Sequence, residues 1–151
     1  MRLVELKPEH VFALVGMCKA MQQESPAYRD YEFSVDQLMV YVDLCLRTDE
    51  WRCMLAVKES EPIGFYAATC QPMLFSQETS VDDLAIYIKP EHRGSLMAGP
   101  RMIGDIIKWA QRKNARVVRL GVTTGISNDR ITQLLTRFGF SQTGTLSTLQ
   151  I

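Results

Sequence analysis

Twice in the second half of the chain, a run of strand formers breaks into a short glycine-bearing loop and then into an amphipathic helix pattern. Residues 81–88 lead through KPEHRGSLMAGP to a helix opened by Pro100, with Met102, Ile103, Ile106, Ile107, Trp109 and Ala110 on one wide apolar face. Residues 116–122 form the second strand run; Ser127 or Asn128 then caps a helix carrying Ile131, Leu134, Leu135 and Phe138, which stops at Gly139. Strands that feed helices in this way build a sheet with helices on its faces, and such sheets place ligand sites beyond the carboxyl ends of their strands. Chemistry is therefore expected at the two junctions, residues 88–100 and 122–128.

The first half supplies the rest of the sheet. Residues 2–6 alternate as a short strand ahead of Pro8, and Val11, Leu14, Val15, Cys18 and Met21 follow at helical spacing. The stretch SPAYRDYEF at 25–33 has no period and reads as a loop between helices. Ser34 with Gln37 is a capping-box signature for a second helix, whose stripe is Leu38, Met39, Val42, Cys45 and Leu46 and which ends near residues 48–50. Residues 51–58 and 63–69 are strand-forming runs joined by the short polar break 59–62, a hairpin. Within 81–88, Leu84, Ile86 and Ile88 face one way while Asp83, Ala85 and Tyr87 face the other. Residues 140–151 read as one or two short strands. The order β-α-α-β-β-β-α-β-α-β describes an α/β fold with a central mixed, mostly antiparallel sheet and helices on both faces.

A chain of 151 residues buries one core, so a single domain over 1–151 is expected. Apolar residues at 46% and a balance of 17 basic against 17 acidic residues exclude collagenous, coiled-coil and disordered classes. That balance gives no overall field to draw the chain to nucleic acid or an anionic membrane, and neither is expected as a partner. With no run of ~20 apolar residues and no basic-then-apolar start in MRLVELKPEH, a cytoplasmic location is expected. Cys18, Cys45, Cys53 and Cys70 lack CxxC spacing and paired histidines; they read as buried hydrophobes, with no metal site. His10 and His92 read as surface residues, Trp51, Trp109 and the methionines as core and groove lining, and Arg112, Lys113, Arg116 and Arg119 as the solvated end of a helix.

At the first junction Arg93, Gly94, Ser95, Ala98 and Gly99 form a tight loop entering a helix, where small residues let backbone amides approach an anion such as a pyrophosphate. The chain has no GxxxxGK[ST] and no GxGxxG followed by an acidic residue, so P-loop and dinucleotide readings fail. The block 81–140 resembles the GNAT superfamily of acyl-CoA-dependent N-acyltransferases in motif content and order. DLAIYIKPEHRGS at 83–95 is similar to the family's fourth strand and pyrophosphate loop, written R or Q, two residues, G, one residue, G or A; Arg93 and Ala98 match, and the middle glycine is Leu96. NDRITQLLTRFGF at 128–140 is similar to the family's N-x-R-A-x-x-L-Y-x-x-x-G-F helix; Asn128, Arg130, Leu134, Gly139 and Phe140 match, and the tyrosine position is Leu135. ESPAYR at 24–29 resembles a loop of GNAT-like proteins from phage and bacteria.

The resemblance implies an acetyltransferase that binds acetyl-CoA as cosubstrate and acetylates a primary amine of a small molecule or protein. It places acetyl-CoA against Tyr87, Ile88, Arg93, Gly94, Ser95, Leu96, Met97, Ala98 and Gly99, with Asn128 at its pantetheine or phosphate end and Arg130 as a secondary contact. The loop after the first helix lies on the acceptor side, which makes Glu24, Tyr28, Arg29 and Tyr31 substrate-binding candidates. A neutral amine would attack the thioester directly, an amide near Tyr87 or Ile88 would meet the oxyanion at a family-typical bulge, and the thiolate would leave. Asp83 is the first choice of base, beside Asp82, because a like charge or partial burial raises a carboxyl pKa toward a useful range. With leucine at the usual acid position, solvent could protonate the thiolate. Homodimerisation follows from family habit. The alternative is a non-catalytic acyl-CoA-binding or protein-interaction module on the same fold.

Overall fold

The computed structural model describes residues 1–93 and 97–151. Its elements are β1 (Arg2–Glu5), α1 (Val11–Glu24), α2 (Val35–Arg47), β2 (Trp51–Lys58), β3 (Glu61–Pro72), β4 (Thr79–Ile88), α3 (Ala98–Arg112), β5 (Val117–Arg119) and α4 (Asn128–Arg137). The sheet runs in the order β1-β2-β3-β4-β5, with three antiparallel pairings and one parallel pairing, β4 with β5. Among the described residues no helix is long and apolar enough to cross a membrane.

Both faces of the sheet are covered, which is why Cys53–Val57 is a continuous buried run rather than an alternating one. Met54 and Ala56 join Tyr66, Ala68 and Val81 under Met102, Ile106 and Trp109 of α3. Cys53, Leu55 and Val57 join Phe65 and Tyr87 under Leu14 and Met17 of α1 and Val42 of α2. A polar tie fixes α3 on its face: the buried Tyr66 hydroxyl donates to Asp105 Oδ2 at 2.5 Å and accepts from Arg52 Nε at 3.0 Å. Ser34 caps α2, its Oγ accepting from the Gln37 amide at 3.2 Å.

The structure departs from the sequence pattern in five places. Strand β4 is bulged: Ala67 pairs with Ala85 but Ala68 pairs with Asp83, so Leu84 is an extra residue. Asp83 therefore shares the register of Val81 and Ala68 on the α3 face, not the face of Ala85 and Tyr87 that strict alternation assigns it. Strand β5 stops at Arg119 rather than running to residue 122, because the Gly121 amide turns to the Asp83 carboxylate instead of joining the ladder. Helix α3 begins at Ala98, placing Pro100 inside the first turn, where its missing N–H leaves no bond unmade. The Ser127 backbone is left-handed and its side chain makes no capping bond to α4. Residues 141–151 form no strand; this serine-, threonine- and glutamine-rich segment has Leu146 and Leu149 almost fully in solvent, so no buried face fixes a register.

Candidate active site

The bulge and the short β5 together shape the site. Among the described residues, pairing of β4 with β5 extends only over Ser80–Asp82, and the strands then part. Asp83 stands where they separate, its Oδ1 accepting from the Gly121 N–H at 2.6 Å. Burial pushes its carboxyl from 3.8 up to about 6, against the lowering effect of that amide and its own, and the charge of Asp82 adds to the rise. Asp82 faces the opposite situation. Burial opposes its ionisation too, but Arg119 Nε at 2.6 Å and the Ser80 hydroxyl at 2.6 Å outweigh it and hold the carboxyl below its usual range. Of the two adjacent candidates, Asp83 is thus poised near neutrality and Asp82 is a committed carboxylate.

Beyond Asp83, among the described residues, no strand pairs with the outer edge of β4. Lys89 N–H donates to the Ile63 carbonyl, so by strand alternation the Tyr87 amide turns toward β3 and the Ile88 amide toward the open edge. Sequence reasoning offered both amides; the pairing leaves Ile88 as the one directed outward. Arg93 reaches back along this edge, its Nε donating to the Ile88 carbonyl at 2.8 Å, while its guanidinium lies 5.5 Å from the Tyr87 ring centroid. The same guanidinium grips Glu24 through both carboxylate oxygens, Nη2 to Oε2 at 2.6 Å. A donor-side and an acceptor-side candidate are therefore bonded to each other.

The remaining candidates are spread around this edge. Met97 is half exposed at the start of α3, and Ala98 is completely buried. Gly99 allows a close approach: a Cβ there would lie 3.2 Å from Leu134 Cδ2 of α4. Gly94, Ser95 and Leu96 lie outside the described residues. Asn128 and Arg130 are exposed in the first turn of α4. Leu135 is buried, so the position of the expected acid is an apolar contact. Arg29 and Tyr31 are exposed; the Tyr31 carbonyl accepts from Gln22 Nε2 at 3.0 Å and its N–H donates to the Tyr28 carbonyl at 3.1 Å.

The structure adds residues that sequence reasoning missed. Ser25 is completely buried, and its hydroxyl donates to the Thr124 carbonyl at 2.5 Å. Tyr28 shares a hydrogen bond with the Thr123 hydroxyl at 3.2 Å, and Gly125, at φ 74°, packs against Pro26. A Cβ on Gly121 would lie 3.7 Å from both Asp83 Oδ1 and Thr123 Cγ2, which puts the Thr123 side chain in the neighbourhood of Asp83. Serine before proline after an amphipathic helix is a local signal for a turn, but its partner lies 99 positions away and no spacing rule reaches it. Elsewhere, Glu61, Glu91 and His92 bring potential ligand atoms within 4.8 Å of one another, with Lys89 Nζ already 2.7 Å from Glu61.

No family model matches the sequence, and no curated protein does. Solved structures do match over the full length. The aminoglycoside acetyltransferase AAC(6')-Iy, solved with a CoA-containing bisubstrate analogue, superposes with a TM-score of 0.79 at 15% identity, covering 99% of this chain and 97% of that one. A Trypanosoma brucei acetyltransferase gives 0.76 at 14% identity, with 99% of each chain covered. A transcriptional regulator from Bacillus halodurans gives 0.78 at 14% identity, again with 99% of each covered. The chain has the fold of the GNAT acetyltransferases, a single mixed α/β sheet with helices on both faces.

Proposed function

We propose that this protein is an acyl-CoA N-acetyltransferase acting on a primary amine of a small molecule or a protein. The observation that carries the reading is the parting of β4 from β5 beside a carboxyl poised near neutrality. Acetyl-CoA lies along the open edge of β4, with its phosphates toward the start of α3 and the first turn of α4, where Met97, Asn128 and Arg130 are exposed. The acceptor enters from the side of Tyr28 and Thr123. Its nitrogen forms a bond to the acetyl carbon, the oxyanion meets the outward Ile88 amide, and the carbon–sulfur bond breaks as the carbonyl re-forms. Asp83 takes the ammonium proton and returns it to water; the CoA thiolate takes a proton from solvent, since Leu135 offers none. The four unpaired cysteines suit the reducing cytoplasm where we place the reaction.

A second reading has one observation behind it. The buried Leu135 at the acid position also suits a module that holds acyl-CoA without turning it over. Calorimetric titration with acetyl-CoA, using CoA and ATP as comparators, followed by a thiol-release screen against amines, separates the two. Micromolar acetyl-CoA binding with turnover is expected. Binding with no turnover on any amine supports the second reading, and no binding removes both. In the active enzyme, kcat/KM should rise with pH through about 6 as Asp83 ionises, and Asp83→Asn should abolish that limb while leaving acetyl-CoA affinity nearly intact.

A further inference from the structure

Arg93 stands first in the proposed phosphate loop, yet its side chain is already engaged. Its Nε donates to the Ile88 carbonyl, both terminal nitrogens hold Glu24, and its flat face lies over Tyr87. Glu24 is the last residue of α1 and opens the loop that carries Ser25 and Tyr28; Arg93 follows the last turn of chain before the donor loop. Both side chains are largely withdrawn from water, at 23% and 29% exposure, so the pair is screened less than a surface ion pair. A two-point guanidinium–carboxylate contact also fixes relative orientation, which a single-point ammonium contact does not.

Resting on the acetyltransferase reading, we propose that Arg93 and Glu24 are a positioning pair that locks the Ile88 end of β4 to the acceptor loop, and that neither binds a substrate directly. Arg93 holds the Ile88 carbonyl on one side and the end of α1 on the other, so the outward edge of β4 and the wall bearing Tyr28 keep one spacing. Acyl donor and acceptor must then be affected together by any change to either partner. A phosphate ligand or an acceptor ligand would instead move one substrate alone.

The test measures acetyl-CoA affinity and acceptor KM for Glu24→Gln, Arg93→Gln, Arg93→Lys and the Glu24→Gln/Arg93→Gln double variant, with urea unfolding confirming that each is folded. Each single change should weaken both constants to a similar degree, roughly fivefold to tenfold, and the double variant should be no worse than either single. Arg93→Lys should behave like Arg93→Gln, because lysine keeps the charge and loses the fork. Rescue by lysine, or loss of acetyl-CoA affinity in Arg93→Gln alone, makes Arg93 a phosphate ligand and overturns the proposal. A rise in acceptor KM confined to Glu24→Gln overturns it from the other side. Wild-type protein that binds no acetyl-CoA overturns the proposed function itself, a result distinct from wild-type binding with unequal single variants.

Discussion

Asp82 and Asp83 are chemically identical neighbours whose surroundings give them opposite effects on stability. Asp83 has a folded pKa of about 6 against 3.8 for the free group, so the folded chain binds its proton more readily than the unfolded one. Its contribution to stability is greatest at low pH and is lost as the pH rises through about 6. Asp82 is depressed, so its contribution is present above the unfolded value and disappears as the pH falls through its folded one. At pH 8, Asp83→Asn should therefore raise the midpoint of thermal unfolding, since asparagine keeps an oxygen for the Gly121 amide without the buried charge. Asp82→Asn should lower it, through a loss of stability of about 1 kcal/mol or less, the pair with Arg119 being partly exposed. At pH 4 the gain from Asp83→Asn should have largely vanished. Unfolding midpoints for the three proteins at both pH values test this, and equal signs at pH 8 would refute it. The sequence shows two carboxylates together in an apolar strand, enough to single them out. It does not show which is which, because Ser80, Arg119 and the Gly121 amide decide the matter, two of them from another part of the chain.

At the scale of the elements, helical spacing of apolar residues exposes the helices, and two contiguous strand-forming runs around a short polar break expose the β2–β3 hairpin. The bulge at Leu84 and the early end of β5 are not written that way; they arise when a third strand is brought alongside and a carboxylate captures an amide meant for the ladder. One close contact depends on the absence of a side chain between β3 and the Tyr87–Ile88 end of β4. A Cβ on Gly64 would collide with the Tyr87 carbonyl oxygen and lie 3.1 Å from Ile88 Cα, backbone atoms that cannot swing aside. Gly64→Ala should cost about 1–3 kcal/mol and weaken acetyl-CoA binding, because it pushes the Tyr87–Ile88 end of β4 away from β3. Gly104, within α3, is the matched control, with nothing within 4 Å of its added Cβ. Gly104→Ala should stabilise by about 0.4–1 kcal/mol through lost unfolded-state freedom. Urea unfolding of both variants gives the comparison; two losses of similar size would mean that space at Gly64 is not what the strand pair depends on.

Across the whole molecule, stability is concentrated in two clusters on either side of one sheet, and neither includes a residue beyond Leu120. Helix α4 is attached to this body through Leu134 and the buried Leu135, and past it the chain buries little. Leu146, Leu149 and Ile151 are exposed, and the side-chain bond recorded in the last ten residues, Gln142 Nε2 to the Gly144 carbonyl at 3.4 Å, is local. If the monomer is the unit that folds, ending the chain after Phe140 should leave the unfolding midpoint within about 1 °C and make it no more dependent on protein concentration. Three large apolar side chains left in water, in a chain whose sheet ends at the single-neighboured β5, also define the opposite result. Should the tail seat on another copy, the full-length midpoint would rise with concentration and removal of residues 141–151 would abolish the rise. Thermal scans of both lengths over a hundredfold range of concentration separate the cases: coincident flat midpoints make the two clusters and α4 the whole cooperative unit, and a concentration-dependent difference assigns part of the stability to an intermolecular contact.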